Sequence, residues 1–169
     1  LSMEKTLIQE AQELIPALET IFCTLHEHPE LGNEETQTSS LIRRRLEDLG
    51  IEYAVMAGTG TAAIIRGGRP GRTIGFRADI DALPITEETG LPYASQTPGV
   101  MHACGHDFHT AALLGAAELL QKHRAGLPGS VKLFFQPDEE GDGGAARMIA
   151  SGCMESPHVD AMLCCHVES

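Results

Sequence analysis

Three apolar, β-type runs in this chain end on residues that an apolar core cannot hold. The run 73–78 leads into Asp79 and Asp81, the run 131–135 into Glu139 and Glu140, and the run 160–165 into His166. Around them, apolar residues at three- and four-residue steps mark helices; Leu7, Ala11, Leu14, Ile15, Leu18, Ile21, Phe22 and Leu25 form one such stripe. Strand alternating with helix predicts an α/β sheet with helices on its faces. In open sheets of this kind ligands gather at the C-terminal ends of strands, because loops leaving several strands converge there. Chemistry is therefore expected at the ends of these three runs.

The remaining elements follow from local signals. Pro16 falls inside the first stripe, so that helix either kinks there or begins near it. A second helix is predicted over 33–49, with Asn33 as its cap and Gly50 as its stop. Strands are predicted over 51–56 and 61–66, with a turn at Gly67-Gly68 before the run 73–78, and further helices over 108–123 and 144–150. A chain of 169 residues makes one domain and buries roughly 70% of the surface its unfolded form exposes. Hydrophobic residues at 42% and charged residues at 21% are ordinary for a globular protein.

A net charge of -12 repels phosphate backbones and anionic lipid, and Arg43, Arg44 and Arg45 form only one short basic cluster. Nucleic acid and membrane are thus poor partners for it. Most of the acidic residues are expected to be solvated surface. Five cysteines cannot all pair, Cys164 and Cys165 are neighbours on an expected buried strand, and residues 1–13 lack the pattern of a signal peptide. These features point to the cytoplasm.

The segment MHACGHDFHT, residues 101–110, packs three histidines, a cysteine and an aspartate into a short stretch. Its nitrogen, sulfur and oxygen donors suit zinc, manganese, cobalt or nickel. Cys104 and His106, two apart, can face one ion from an extended loop, with Gly105 easing the turn. In the glycine-rich turn QPDEEGDGG, residues 136–144, one of the adjacent carboxylates Glu139 and Glu140 can bind a cation while the other accepts a proton from water. Asp79 and Asp81 can orient ligand imidazoles, or equally cap the turn at Leu83-Pro84. His102 and His109 of the same segment join them as candidate supporting residues. Cys104 also admits a nucleophile reading with a nearby histidine as base, which leaves the paired glutamates unused. Cys23, Cys153, Cys164 and Cys165 read as core thiols.

Four stretches, LHEHPEL at 25–31, RADIDALP at 77–84, MHACGHDFHT at 101–110 and QPDEEG at 136–141, together resemble the M20 metallopeptidase family. The resemblance is to its amidohydrolase branch, which includes hippurate hydrolases, N-acyl-amino-acid deacylases and auxin-conjugate hydrolases. It implies a zinc-exopeptidase-like three-layer sandwich with a mixed, mainly parallel sheet and a centre of two divalent metal ions. Cys104, His106, Glu140 and His166 match metal ligands, and Glu139 matches the general base that deprotonates a metal-activated water. The implied substrate is an N-acyl amino acid, cleaved at its amide bond. Members of the family continue beyond the position of Ser169, so residues 1–169 are expected to be a partial catalytic domain. A lid and dimerisation domain and a return segment carrying a further histidine ligand would then be absent, and a homodimer would form through the absent part. The alternative is a metal-binding or interaction module without catalysis. Asp142 stands where the family more usually has glycine.

Overall fold

The computed structural model describes residues 3–167. Its elements run α1 (Met3–Glu27), α2 (Thr36–Asp48), β1 (Glu52–Met56), β2 (Gly60–Arg66), β3 (Arg69–Asp79), α3 (His106–Lys122), β4 (Pro128–Gln136), α4 (Gly144–Ala150) and β5 (Ala161–Cys164). One five-stranded sheet has the order β1-β2-β4-β3-β5. β2 pairs antiparallel with both β1 and β4, whereas β3 pairs parallel with β4 and β5. The mixed sheet is as expected, and its parallel part holds the three strands whose ends carry the polar residues.

Side-chain alternation explains the layers. Along β4, Val131, Leu133 and Phe135 point to the face where Ile42 and Leu46 of α2 meet Leu113, Leu114 and Ala117 of α3. Phe134 points the other way, to Met148 of α4, Cys153 and Val159. Full burial of a side chain such as Leu133 or Phe135 contributes about 2 kcal/mol. β4 is thus covered on both faces, which is why Leu133, Phe134 and Phe135 are apolar without alternation. α1 packs on α3, so closely that a Cβ on Gly115 would lie 2.6 Å from Leu18 Cδ1.

Several local expectations are corrected. Of the two readings of Pro16, a helix beginning near it is excluded, because α1 runs through it; Pro16 and Gln12, whose carbonyl loses its amide partner, are both exposed, so water can take the missing hydrogen bond. Ile15, a member of the apolar stripe, is 47% exposed. Asn33 does not cap α2: it sits in a turn at φ 69, and Glu35 occupies the cap position. The free amides of Gln37 and Thr38 donate instead to the carboxylate of Glu30, at 3.0 and 2.9 Å. α3 takes in His106, two residues earlier than predicted. β5 lies at the sheet edge and is exposed along its length, so Cys164 and Cys165 are surface thiols; Cys23 is half-buried and only Cys153 of the four is buried. Among the described residues no helix is long and apolar enough to cross a membrane.

Candidate metal centre

Because β3, β4 and β5 are parallel, their C-terminal ends meet on one edge of the sheet. Asp79 ends β3, Glu139 and Glu140 lie in the turn after β4, and His166 follows β5. The segment 101–105 crosses this edge and delivers His106 as the first residue of α3. Gly105, at φ 78, permits that entry, and its missing Cβ leaves room for Val167, whose Cγ2 would lie 2.3 Å from it.

His106 is the hub. Its Nδ1 donates to the carbonyl of Asp81 at 2.8 Å and lies 3.2 Å from Asp81 Oδ1. In the neutral ring that leaves the lone pair on Nε2, which is buried and without a hydrogen-bond partner. Around Nε2 stand Asp79 Oδ2 at 3.6 Å, Glu140 Oε1 at 3.8 Å and Glu139 Oε2 at 3.9 Å. Asp81 also accepts the backbone N–H of Glu140 at 3.0 Å, so one carboxylate sets the imidazole and the acidic turn together. Burial pushes the Asp81 carboxyl upward, but His106 and the N–H groups of Glu140 and Glu139 outweigh it and hold the group below its ordinary value.

The second part of the site is the pair Cys104 Sγ and His166 Nε2, 3.4 Å apart. His166 Nδ1 donates to the carbonyl of Val167 at 2.6 Å, which turns the Nε2 lone pair toward the sulfur. Burial, then the hydrogen bond to Glu140 and the surrounding carboxylates, push the Cys104 thiol up to about 11. A thiol kept neutral by its own neighbours is a poor nucleophile, but a cation in the same place would favour its thiolate.

Supporting contacts extend outward. Asp79 accepts from His109 Nδ1 at 2.6 Å, and His109 Nε2 accepts the N–H of Val167 at 3.0 Å. Arg77 reaches Gln136 Oε1 at 2.8 Å, Asp79 Oδ2 at 2.7 Å and Glu139 Oε1 at 3.9 Å. His102 is buried and neither ring nitrogen makes a hydrogen bond, so it orients none of these groups. The buried carboxylate of Glu35 accepts the N–H of Asp138 at 2.9 Å and so braces the acidic turn from below. Neither Arg77 nor Glu35 was singled out from sequence. For Arg77 a signal existed, since it lies two residues before Asp79 on the same strand face; for Glu35, 103 positions from Asp138, none did.

Three overlapping groups bring their donor atoms within 4.8 Å of one another: Cys104, His106 and His166; Asp79, His106 and His109; and His106, Glu139 and Glu140. The expected ligand candidates and Glu139 therefore converge. A buried imidazole nitrogen with no partner, ringed by carboxylates and a thiol, fits a divalent cation of the transition series. A cavity of about 810 Å³ opens beside the Cys104 and His166 pair and is walled by Phe22, His26 and Phe108.

The profile described as Peptidase family M20/M25/M40 matches residues 75–169. An N-acetyl-L-cysteine deacetylase of Bacillus subtilis is 50% identical over 143 residues, covering 84% of this chain and 34% of that protein. The hippurate hydrolase of Campylobacter jejuni is 45% identical over 150 residues, covering 88% of this chain and 39% of the relative. The chain thus spans between a third and two-fifths of these relatives. Among solved structures, a dinuclear metal binding peptidase of the M20 family from Bacillus subtilis superposes with a TM-score of 0.88 at 44% identity, over 93% of this chain and 44% of that one. A putative aminohydrolase from methicillin-resistant Staphylococcus aureus gives 0.94 at 41% identity, over 99% and 43%.

Proposed function

The chain belongs to peptidase family M20/M25/M40, and on that premise we propose that it supplies the general base and four metal ligands of an amidohydrolase acting on N-acyl amino acids. The observation that carries this reading is His106 Nε2, buried, unpartnered and facing Glu139 and Glu140. Cys104, His106, Glu140 and His166 would hold two divalent ions. When bound, such ions acidify water and polarise an amide carbonyl.

The chain's own groups supply the proton transfers. Glu139 projects from the turn after β4 and is paired loosely with Arg77, 3.9 Å away, which aims the carboxylate while leaving it free to accept a proton. It takes that proton as water attacks the amide carbon, and returns it to the nitrogen as the C–N bond breaks. The products are a carboxylic acid and a free amino acid. Asp81 and Asp79 keep the imidazoles of His106 and His109 in one tautomer through these steps. The relatives named for N-acetylcysteine and hippurate support the substrate class. Five free cysteines fit a reducing compartment such as the cytoplasm.

The test uses the complete protein and N-acetyl and N-benzoyl amino acids, with metal content measured beside turnover. Glu139→Gln is expected to keep its metal and lose at least about a hundred-fold in kcat, the usual scale for removing a general base. Full activity in that variant would overturn the role of Glu139, and a wild-type protein that binds no divalent metal would overturn the reading.

A further inference from the structure

The Glu139 carboxylate stands 3.9 Å from Arg77 and 3.9 Å from His106, beyond hydrogen-bond distance of either. Its direction is therefore set chiefly by the backbone that carries it. On one side that backbone is tied down through Glu140, whose N–H donates to Asp81 at 3.0 Å. On the other side the tie is Asp138, and its N–H, carbonyl and carboxylate are all engaged. The N–H donates to Glu35 at 2.9 Å, the carbonyl accepts the N–H of Gly144 at 3.1 Å, and Oδ2 accepts from Nη2 of Arg147 on α4, also at 3.1 Å.

Asp138 needs these ties because of its backbone. At φ 51 it occupies the left-handed region, which is open to glycine and, at a smaller cost than for most side chains, to aspartate and asparagine. Such a conformation persists only where the surroundings hold it. Here they hold both oxygens of the carboxylate. Oδ2 is on Arg147, and Oδ1 is lodged between two glycines, since a Cβ on Gly32 or on Gly141 would lie 2.3 Å from it. Arg147 Nη2 also donates to Asn33, the residue after Gly32. One guanidinium thus joins α4, the turn between α1 and α2, and the residue immediately before Glu139. Asp138 is buried, so removing its cation leaves a charge that the turn must move to accommodate.

We propose that Asp138 and Arg147 are positioning residues for Glu139: their ion pair holds the turn after β4 in the backbone conformation that aims this carboxylate toward His106. This rests on the assignment of Glu139 as general base above. The test compares the complete protein with its Arg147→Met and Arg147→Lys variants, each also in the Glu139→Gln background. Arg147→Met should keep its metal and its KM and lose about ten- to a hundred-fold in kcat, the scale of a small misplacement of a reacting group. Arg147→Lys, which can still offer Asp138 one donor, should recover most of that. In the Glu139→Gln background Arg147→Met should cost nothing further, because both changes act through one group. Asp138→Gly suits the φ of 51 and leaves no unpaired carboxylate, so it should fold even if Arg147→Met does not, and it should show the same loss in kcat. Equal losses with and without Glu139, or a loss confined to KM or metal content, overturns the inference.

A second arm needs no turnover. Amide hydrogen exchange across residues 137–143 should be faster in Arg147→Met than in wild type, and close to wild type in Arg147→Lys. If exchange responds in this way while Glu139→Gln keeps full activity, the assignment of the base falls and the pin on the turn stands. If Glu139→Gln is inactive while neither kcat nor exchange responds to Arg147, the base stands and the pin falls.

Discussion

His109 shows how much of the site depends on which nitrogen holds a proton. Asp79 accepts from Nδ1, so Nε2 must be the acceptor, and it takes the N–H of Val167, the residue after His166. The Asp79–His109 pair thereby ties the end of β5 to α3 and keeps His166 within 3.4 Å of Cys104. Replacing His109 with Leu removes the acceptor and frees that segment. Metal affinity, read by competition with a chromophoric chelator, is expected to fall by about ten- to a hundred-fold, and Gln, which can offer its amide oxygen to the same N–H, should recover part of it. Unchanged affinity in the Leu variant would show that His109 does not position His166. The donor types in residues 101–110 were legible in the sequence. Their division into ligands and supports was not, because it depends on tautomers set by Asp79 and Asp81, residues far away along the chain.

The elements that read well are those whose burial follows period. β4 and α4 fall where the apolar runs predict, and the parallel strand ends place the polar residues on one edge as expected. The elements that read poorly depend on partners at a distance. Asn33 has the chemistry of a cap, yet the helix takes its acceptor from Glu30, which binds Gln37 and Thr38 across a turn that no short-range rule describes. Glu30→Ala should therefore destabilise the fold by about 1 kcal/mol, the typical worth of a cap, seen as a lower Tm, whereas Asn33→Gly, which suits the φ of 69 there, should cost less. The reverse order would restore Asn33 as the cap. β5 was expected to be buried because Ala161, Met162, Leu163 and Cys164 are apolar; among the described residues β3 alone pairs with it, and its side chains are exposed.

Across the whole molecule, His26 joins three distant parts: α1, the long connection after β3 through Glu87, and the start of α3 through Asp107. Burial works against its charge, but hydrogen bonds to both carboxylates raise its pKa above the ordinary 6.5. Burial likewise opposes the Glu87 carboxylate, and the N–H of Ser95, the hydroxyl of Thr89 and His26 bring it from 4.5 down to about 2. The His26 contribution is complete below pH 6.5 and is lost as pH rises through its raised value. That of Glu87 is complete above pH 4.5 and is lost as pH falls toward about 2. The urea midpoint, measured with chelator present, should therefore be highest between these limits and decline above pH 6.5. His26→Gln should make the alkaline decline shallower, the remainder coming from His106, whose burial is outweighed by Asp81 and Asp79, which raise its pKa; a variant that declines as steeply as wild type would show that the clamp adds nothing to stability.

His106 is the first residue of α3, and this placement has an electrostatic cost. The N-terminus of a helix carries about half a positive charge and attracts anions. Two dications at that point would be repelled by the helix that presents one of their ligands. Asp79 at the end of β3, Asp81 two residues beyond it, and Glu139 and Glu140 from the turn after β4 surround the His106 imidazole, and Asp107 sits in the first turn of α3 itself. Only two of these five are assigned to binding a cation or moving a proton. The other three add negative charge beside this helix end, which offsets part of its attraction for anions and favours a cation there.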